Sequence, residues 1–251
     1  MTTQARIAAG TIQLAIVTAF FGLWTLLTQM HAINPLFLPA LPTVGVALAR
    51  LVVTPVFWSA VAVTAATTAV AYVLAVVFGI GAGFVIGRSP VLTRALEPVI
   101  SGVFAIPIAL FFPMFVIMFG IGPPSKIAFG AVYGFFPIAL NTIAAFTMVD
   151  PLFLRAARSL GASRAQIFRH VYFPGALPVI VTGLRIGFFI CFASVLGGET
   201  LSSASGVGHQ IARQGELLNS GPMYAWIVIV LVATIAMNLA LTGSMSRVRQ
   251  D

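Results

Sequence analysis

Long stretches of this chain carry no charge at all. No Asp, Glu, Lys or Arg occurs at residues 7–49, 51–87, 98–125, 127–149 or 217–246. The chain as a whole is 60% apolar and 7% charged, where a soluble domain carries about a quarter charged residues. Such a chain cannot cover a water-facing surface, so it must face lipid. A spanning helix needs about 20 mostly apolar residues, whereas barrel strands show about ten with strict alternation. The runs here are continuous, which selects an all-α, polytopic membrane protein.

Six spans are expected, at about 11–30, 61–87, 99–119, 127–148, 177–198 and 224–243, within a single transmembrane domain of residues 1–251. The first run is too long for a signal-peptide core and no small-residue cleavage site follows it, so it counts as a span. The fifth contains Arg185. A central charge costs about 2.5–3.5 kcal/mol on the insertion scale, and the strongly apolar residues around it return about 0.3–0.6 kcal/mol each, so the segment inserts.

The basic residues orient the chain. With both termini inside, Arg6, Arg88, Arg94, Arg155, Arg158, Arg164, Arg169, Arg247 and Arg249 fall on the cytoplasmic side, against Arg50, Lys126 and Arg213 outside. That is a positive-inside distribution. The formal charge of +8 therefore reflects topology, and no nucleic-acid partner is expected. Cys191 is alone, and His31, His170 and His209 are far apart, so neither a disulfide nor a metal site is expected.

Glycines recur at a spacing of four in three spans: Gly79, Gly83 and Gly87, then Gly130 and Gly134, then Gly183 and Gly187. Small residues at that spacing let helices approach closely in lipid. The residues Gly79-x-Gly81-x-Gly83 have neither the preceding strand nor the soluble helix of a dinucleotide site. Pro107, Pro113 and Pro137 are expected to bend spans three and four, either as packing kinks or because these helices line something. A short helix is expected within 43–53 after the break at Pro35, Pro39 and Pro42, and another around 210–218.

The segment "LRAARSLGASRAQIFRHVYFPGALP", residues 154–178, holds four arginines and a histidine. Asp150 can cap a helix with Pro151 at its first position. Leu152, Phe153, Ala156, Ala157 and Leu160 share one face, with Arg155 and Arg158 on the other. Gly161 suits the helix stop. Ser163 and Gln166 form a capping box opening a second short helix, with Ile167, Phe168, Val171 and Tyr172 on its apolar side. Pro174 is expected to end that helix and Pro178 to start span five. This elbow, about 150–176, has more local design than topology alone requires. Its arginines, caps and small tip, Leu160-Gly161-Ala162-Ser163, suit a surface that docks another protein.

"RAARSLGASRAQIFRHVYFPGALPVI" resembles the signature loop of ABC importer inner-membrane subunits, with Ala156, Ala157, Gly161, Pro174, Pro178 and Ile180 matching in place. "FLPALPTVGVAL", "GLRIGFFICFASVLGGE" and "SGVGHQIAR" resemble the nitrate, sulfonate and taurine branch. The resemblance implies a type I importer fold in which the elbow is a coupling loop. Its contact residues would be Arg155, Ala156, Ala157, Arg158, Ser159, Leu160, Gly161, Ala162 and Ser163. It implies two copies of a cytoplasmic ABC ATPase, which hold ATP and Mg, a solute-binding protein on the outer side, and a second permease copy or a sister permease. It places the chain in a bacterial inner membrane. Arg155 stands where the family usually has Glu, which reverses the charge at the start of the loop.

No cofactor and no catalytic residue is expected in this chain. A phosphate loop needs GxxxxGK[ST], and the only lysine, Lys126, has no such context. The alternatives are an ion-coupled carrier, disfavoured because no span has an interior acid and no repeat is visible, and an intramembrane enzyme, disfavoured because the histidines lie in loops. Candidates for the solute path are the sparse polar groups Asn141, Thr142, Arg185, Ser194 and Glu199. Arg185 either snorkels or makes an interhelical contact. Glu199 is either a rim charge or a hydrogen-bonding group, and Thr64, Thr67 and Thr68 are expected to bond to their own backbone. The resemblance makes a small anion the first choice of solute.

Overall fold

The computed structural model describes residues 3–248, with no side chain described at 3–7, 108, 151 or 243–248. Arg249 lies outside the described residues, as do the side chains of Arg6 and Arg247. No strand occurs among the described residues. The helices in chain order are α1 (Thr3–Gln29), α2 (Leu41–Leu51), α3 (Pro55–Gly87), α4 (Pro90–Ala105), α5 (Phe112–Phe119), α6 (Pro123–Thr147), α7 (Pro151–Ser159), α8 (Arg164–Ile167), α9 (Phe173–Leu201), α10 (Val207–Glu216) and α11 (Ser220–Val248).

Five helical stretches are long and apolar enough to cross a membrane, and the bent pair α4 and α5 makes a sixth if counted as one span. The continuous span expected at 99–119 is therefore corrected to two helices. Ile106 is extended, as the residue before a proline tends to be, and Pro107 caps a short 3-10 turn. In lipid a freed amide must find a partner inside the protein. The amide of Ala109 donates to the Tyr133 hydroxyl on α6 at 2.9 Å. Pro137, by contrast, leaves α6 uninterrupted.

The second correction concerns Pro174. It does not end a helix. It occupies the first turn of α9, where no amide partner is needed. A π-helical turn, Phe168–Tyr172, joins α8 to α9, so helix runs from Arg164 to Leu201. Pro178 likewise lies inside α9, and the Thr182 hydroxyl donates to its carbonyl at 2.9 Å.

Two compact units make up the chain: Met1–Ser59 with Gln210–Ala233, and Ala60–His209 with Thr234–Asp251. In the first, the irregular segment after α1 leaves carbonyls that regular structure cannot satisfy. Side chains serve them: Trp24 Nε1 donates to Pro39, Ser220 Oγ to Pro35 and Tyr224 Oη to Phe37, each at 2.9 Å. Trp24 also meets Tyr224 edge to face, and Phe57 stacks on the fully buried Trp226.

In the second unit the spaced glycines set the packing. A Cβ on Gly130 would meet Ala71 of α3 and Val195 of α9; one on Gly134 would meet Ala75 and Cys191; one on Gly79 would meet Ile138; one on Gly83 would meet Thr142. Each step of four along α6 thus matches a step of four along α3, so these helices run parallel in register. Gly183 faces Asn141, Gly187 faces Ile138 and Gly198 faces Lys126, so α9 runs antiparallel to α6. Backbones this close give the dispersion and packing on which membrane helices depend.

Candidate functional site

The elbow between α6 and α9 is built by its caps. Asp150 Oδ1 accepts from the Leu152 amide at 2.8 Å. At the other end of α7 the amides of Gly161 and Ala162 donate to the carbonyls of Arg158 and Ala157, each at 3.0 Å. That is a Schellman stop, and Gly161 supplies its left-handed residue at φ +78°. Ser163 Oγ accepts from the Gln166 amide while Gln166 Oε1 accepts from the Ser163 amide, so the expected capping box is present.

These caps fix a turn whose apolar face is left open among the described residues. Leu152 and Phe153 are exposed and Leu160 is 88% exposed. Arg155, Arg158, Ser159, Gly161 and Ser163 are also exposed, Ala156 is exposed, and Ala157 and Ala162 are half-buried. Ile167 is buried beneath the elbow, and Phe168 meets Phe84 of α3. The elbow is therefore anchored on one side and open on the other.

The polar residues expected along a path divide into two groups. Asn141 Nδ2 donates to the Pro137 carbonyl at 2.8 Å and its side chain packs on Gly183. Thr142 is fully buried, donates to the Ile138 carbonyl at 2.7 Å and packs on Gly83. Ser194, half-buried, donates to the Ile190 carbonyl at 2.7 Å. These three are engaged in helix packing and backbone bonds within the chain. Arg185 makes an interhelical contact, donating through its guanidinium to Asn238 Oδ1.

Glu199 is neither a rim charge nor part of a loop. It lies in the last turn of α9 and is 2% exposed. Both its oxygens lie 2.9 Å from Thr64 Oγ1, and Oε2 accepts from the Gly208 amide at 2.9 Å. The same Thr64 hydroxyl accepts from the Val207 amide at 2.8 Å. So the expectation that Thr64 bonds to its own backbone is corrected: it ties α3 to α9 and to the start of α10. Gly206, at φ +101°, sits against the carboxylate so closely that a Cβ there would overlap it.

Sequence reasoning placed Lys126 at an outer edge. It is 1% exposed, in the first turn of α6, with Ser125 fully buried beside it. Its amine has no hydrogen-bond partner and lies 6.0 Å from the centre of the Phe112 ring.

Residues 75–250 match the family described as "Binding-protein-dependent transport system inner membrane component". The taurine transport system permease protein TauC of Escherichia coli (strain K12) is 31% identical over 242 residues, covering 94% of this chain and 88% of that protein. The putative aliphatic sulfonates transport permease protein SsuC of Bacillus subtilis (strain 168) is 25% identical, covering 87% of this chain and 79% of that protein. The nitrate import permease protein NrtB of Synechocystis sp. (strain ATCC 27184 / PCC 6803 / Kazusa) is 31% identical, covering 56% of this chain and 51% of that protein. Among solved structures, the MetNI methionine ABC transporter in inward-facing conformations shares the fold, with a TM-score of 0.67 at 22% identity over 78% of this chain and 98% of that one. The all-helical architecture with five or six long apolar stretches, the matched residues and the relatives agree that this chain belongs to the binding-protein-dependent transport system inner-membrane components, the multi-pass permeases of ABC importers.

Proposed function

We propose that the chain forms the membrane path for a small anion, such as a sulfonate, taurine, nitrate or an aromatic carboxylate, and takes its energy from a separate ATPase docked at the elbow. What carries the docking half of this reading is the open face of α7 and its tip: a turn fixed by caps at both ends, with Leu160 88% exposed. A partner that covers this face would bury it. The arginine distribution supports a cytoplasmic elbow and cytoplasmic termini, where ATP and Mg would be held by that partner. The solute half rests on the relatives, three of which are named for taurine, aliphatic sulfonates and nitrate.

Arg155, Ala156, Ala157, Arg158, Ser159, Leu160, Gly161, Ala162 and Ser163 are the proposed contact surface. ATP-driven closure of two ATPases would draw two elbows together, and the elbow, joined to α9 without a helical break, would carry that movement into the bundle as a two-state change. One permease chain offers few spans for a pathway, so two permeases, two ATPases and an external binding protein are proposed for the working unit.

The test is uptake of labelled taurine, ethanesulfonate, nitrate and benzoate into proteoliposomes holding the complete importer. Uptake of one of these anions is expected, strictly dependent on ATP and binding protein. Leu160→Asp should abolish it, because a charge at the centre of an apolar contact is buried without a partner. Uptake that persists without ATPase would contradict the reading.

A further inference from the structure

Among the described residues, two buried side-chain polar atoms have no hydrogen-bond partner: Lys126 Nζ and Thr68 Oγ1. They belong to one level of the molecule. Gly130 of α6 is matched with Ala71 of α3, and the parallel register carried one turn back along both helices puts Lys126 level with Thr67 and Thr68. Gly198 of α9 faces Lys126 directly. Thr64, Thr67, Thr68, Ser125, Lys126 and Glu199 are the buried polar and charged residues outside Thr142, and all lie toward this end of the three helices.

A buried ammonium is costly unless an acceptor meets it. An acid stands nearby: Glu199 directly follows Gly198, the α9 residue that faces Lys126. Yet Glu199 gives Lys126 no hydrogen bond; its oxygens accept from the Thr64 hydroxyl and the Gly208 amide instead. The carboxylate is thus held in a cradle on the α3–α10 side, and the lysine keeps its donors free. Around the lysine stand Phe112, fully buried, and Gly198, which has no side chain to offer. Thr68 adds a second open donor.

We infer that Lys126, with Thr68, is a contact for an oxyanion: the sulfonate, carboxylate or nitrate group of the passing solute supplies the acceptors that the chain withholds. The inference rests on the anion reading given above and extends it to particular residues. In the conformation described here the site is closed. A two-state transporter opens it in another state, and the charge then selects anions where the bundle is otherwise apolar.

The experiment exploits Lys126 being the sole lysine. The complete importer, with its ATPase and binding protein, is treated with formaldehyde and a hydride donor in nucleotide-free, ATP-bound and vanadate-trapped states. Methylation of Lys126 is read by peptide mass spectrometry. The same preparation is assayed for uptake of nitrate, taurine, ethanesulfonate and benzoate.

The expected result is that Lys126 reacts in at least one state and that the transported anion, but not the same concentration of chloride, slows the reaction. Loss of charge-assisted hydrogen bonds costs about ten- to a hundredfold, so Lys126→Met should lower maximal anion uptake by about that factor, and Lys126→Arg should retain more. If the wild-type importer carries an anion that leaves Lys126 methylation unchanged in every state, this inference is overturned and the proposed function stands. Failure of Lys126 to react in any state overturns it equally. If the wild type carries only neutral or cationic solutes, the anion reading itself falls and this inference with it.

Discussion

Glu199 shows how much one side chain holds together. Its carboxylate meets a hydroxyl from α3 and an amide from the start of α10 while standing on α9 itself. A leucine of similar size would leave the Thr64 hydroxyl and the Gly208 amide with no acceptor from this side chain. A buried donor left unsatisfied costs about 1–3 kcal/mol, so Glu199→Leu should lower the thermal unfolding temperature of the purified permease, and an unchanged temperature would contradict the cradle. At this scale the sequence was least informative. The segment "GLRIGFFICFASVLGGE" ends on Glu199 and marked it as a candidate, but only the fold brings Thr64 and Gly208 to it across 135 and 9 residues. Lys126 misled for a related reason: a charge next to a turn is normally solvated, and nothing local reveals that Gly198 and Phe112 close over it.

The helices themselves were more legible, because each is set by a local pattern. Charge-free runs mark the long apolar helices, and the elbow's caps are legible in the sequence as Asp150, Gly161, Ser163 and Gln166. What periodicity could not decide was the fate of prolines. Pro107 breaks a span, whereas Pro137, Pro174 and Pro178 lie within helices. The difference depends on which neighbour satisfies the backbone, a tertiary matter. Helix packing gives a sharp test. A Cβ at Gly134 would overlap Cys191 Sγ and lie 3.1 Å from Ala75 Cβ. Overpacking of this kind costs about 1–3 kcal/mol. Gly134→Ala should therefore destabilise the permease in thermal unfolding, and adding Cys191→Ala should recover part of the loss by removing the atom it meets.

The elbow makes a second prediction, about charge. Arg155 is exposed on the open side of α7, and it replaces the acid usual at this position in the family the loop resembles. If the ATPase of this system carries a matching acid, Arg155→Glu sets like charges against each other. Copurification of the ATPase should then fall, while the unfolding temperature of the permease alone stays the same. Full copurification would show that no compensating acid exists.

For the whole molecule, the proposed function divides the work: this chain forms the membrane path and a separate ATPase supplies the energy across a contact. In that proposal the exposed tip Leu160-Gly161-Ala162-Ser163 is the contact, and the helix that starts at Arg164 leads from it past the buried Cys191 to Glu199. Native mass spectrometry of the chain, gently extracted from its own membrane, tests this most directly. Two permease chains with two ATPase chains are predicted, with the ATPases lost on Leu160→Asp. A chain that is recovered reproducibly without any ATPase would contradict it.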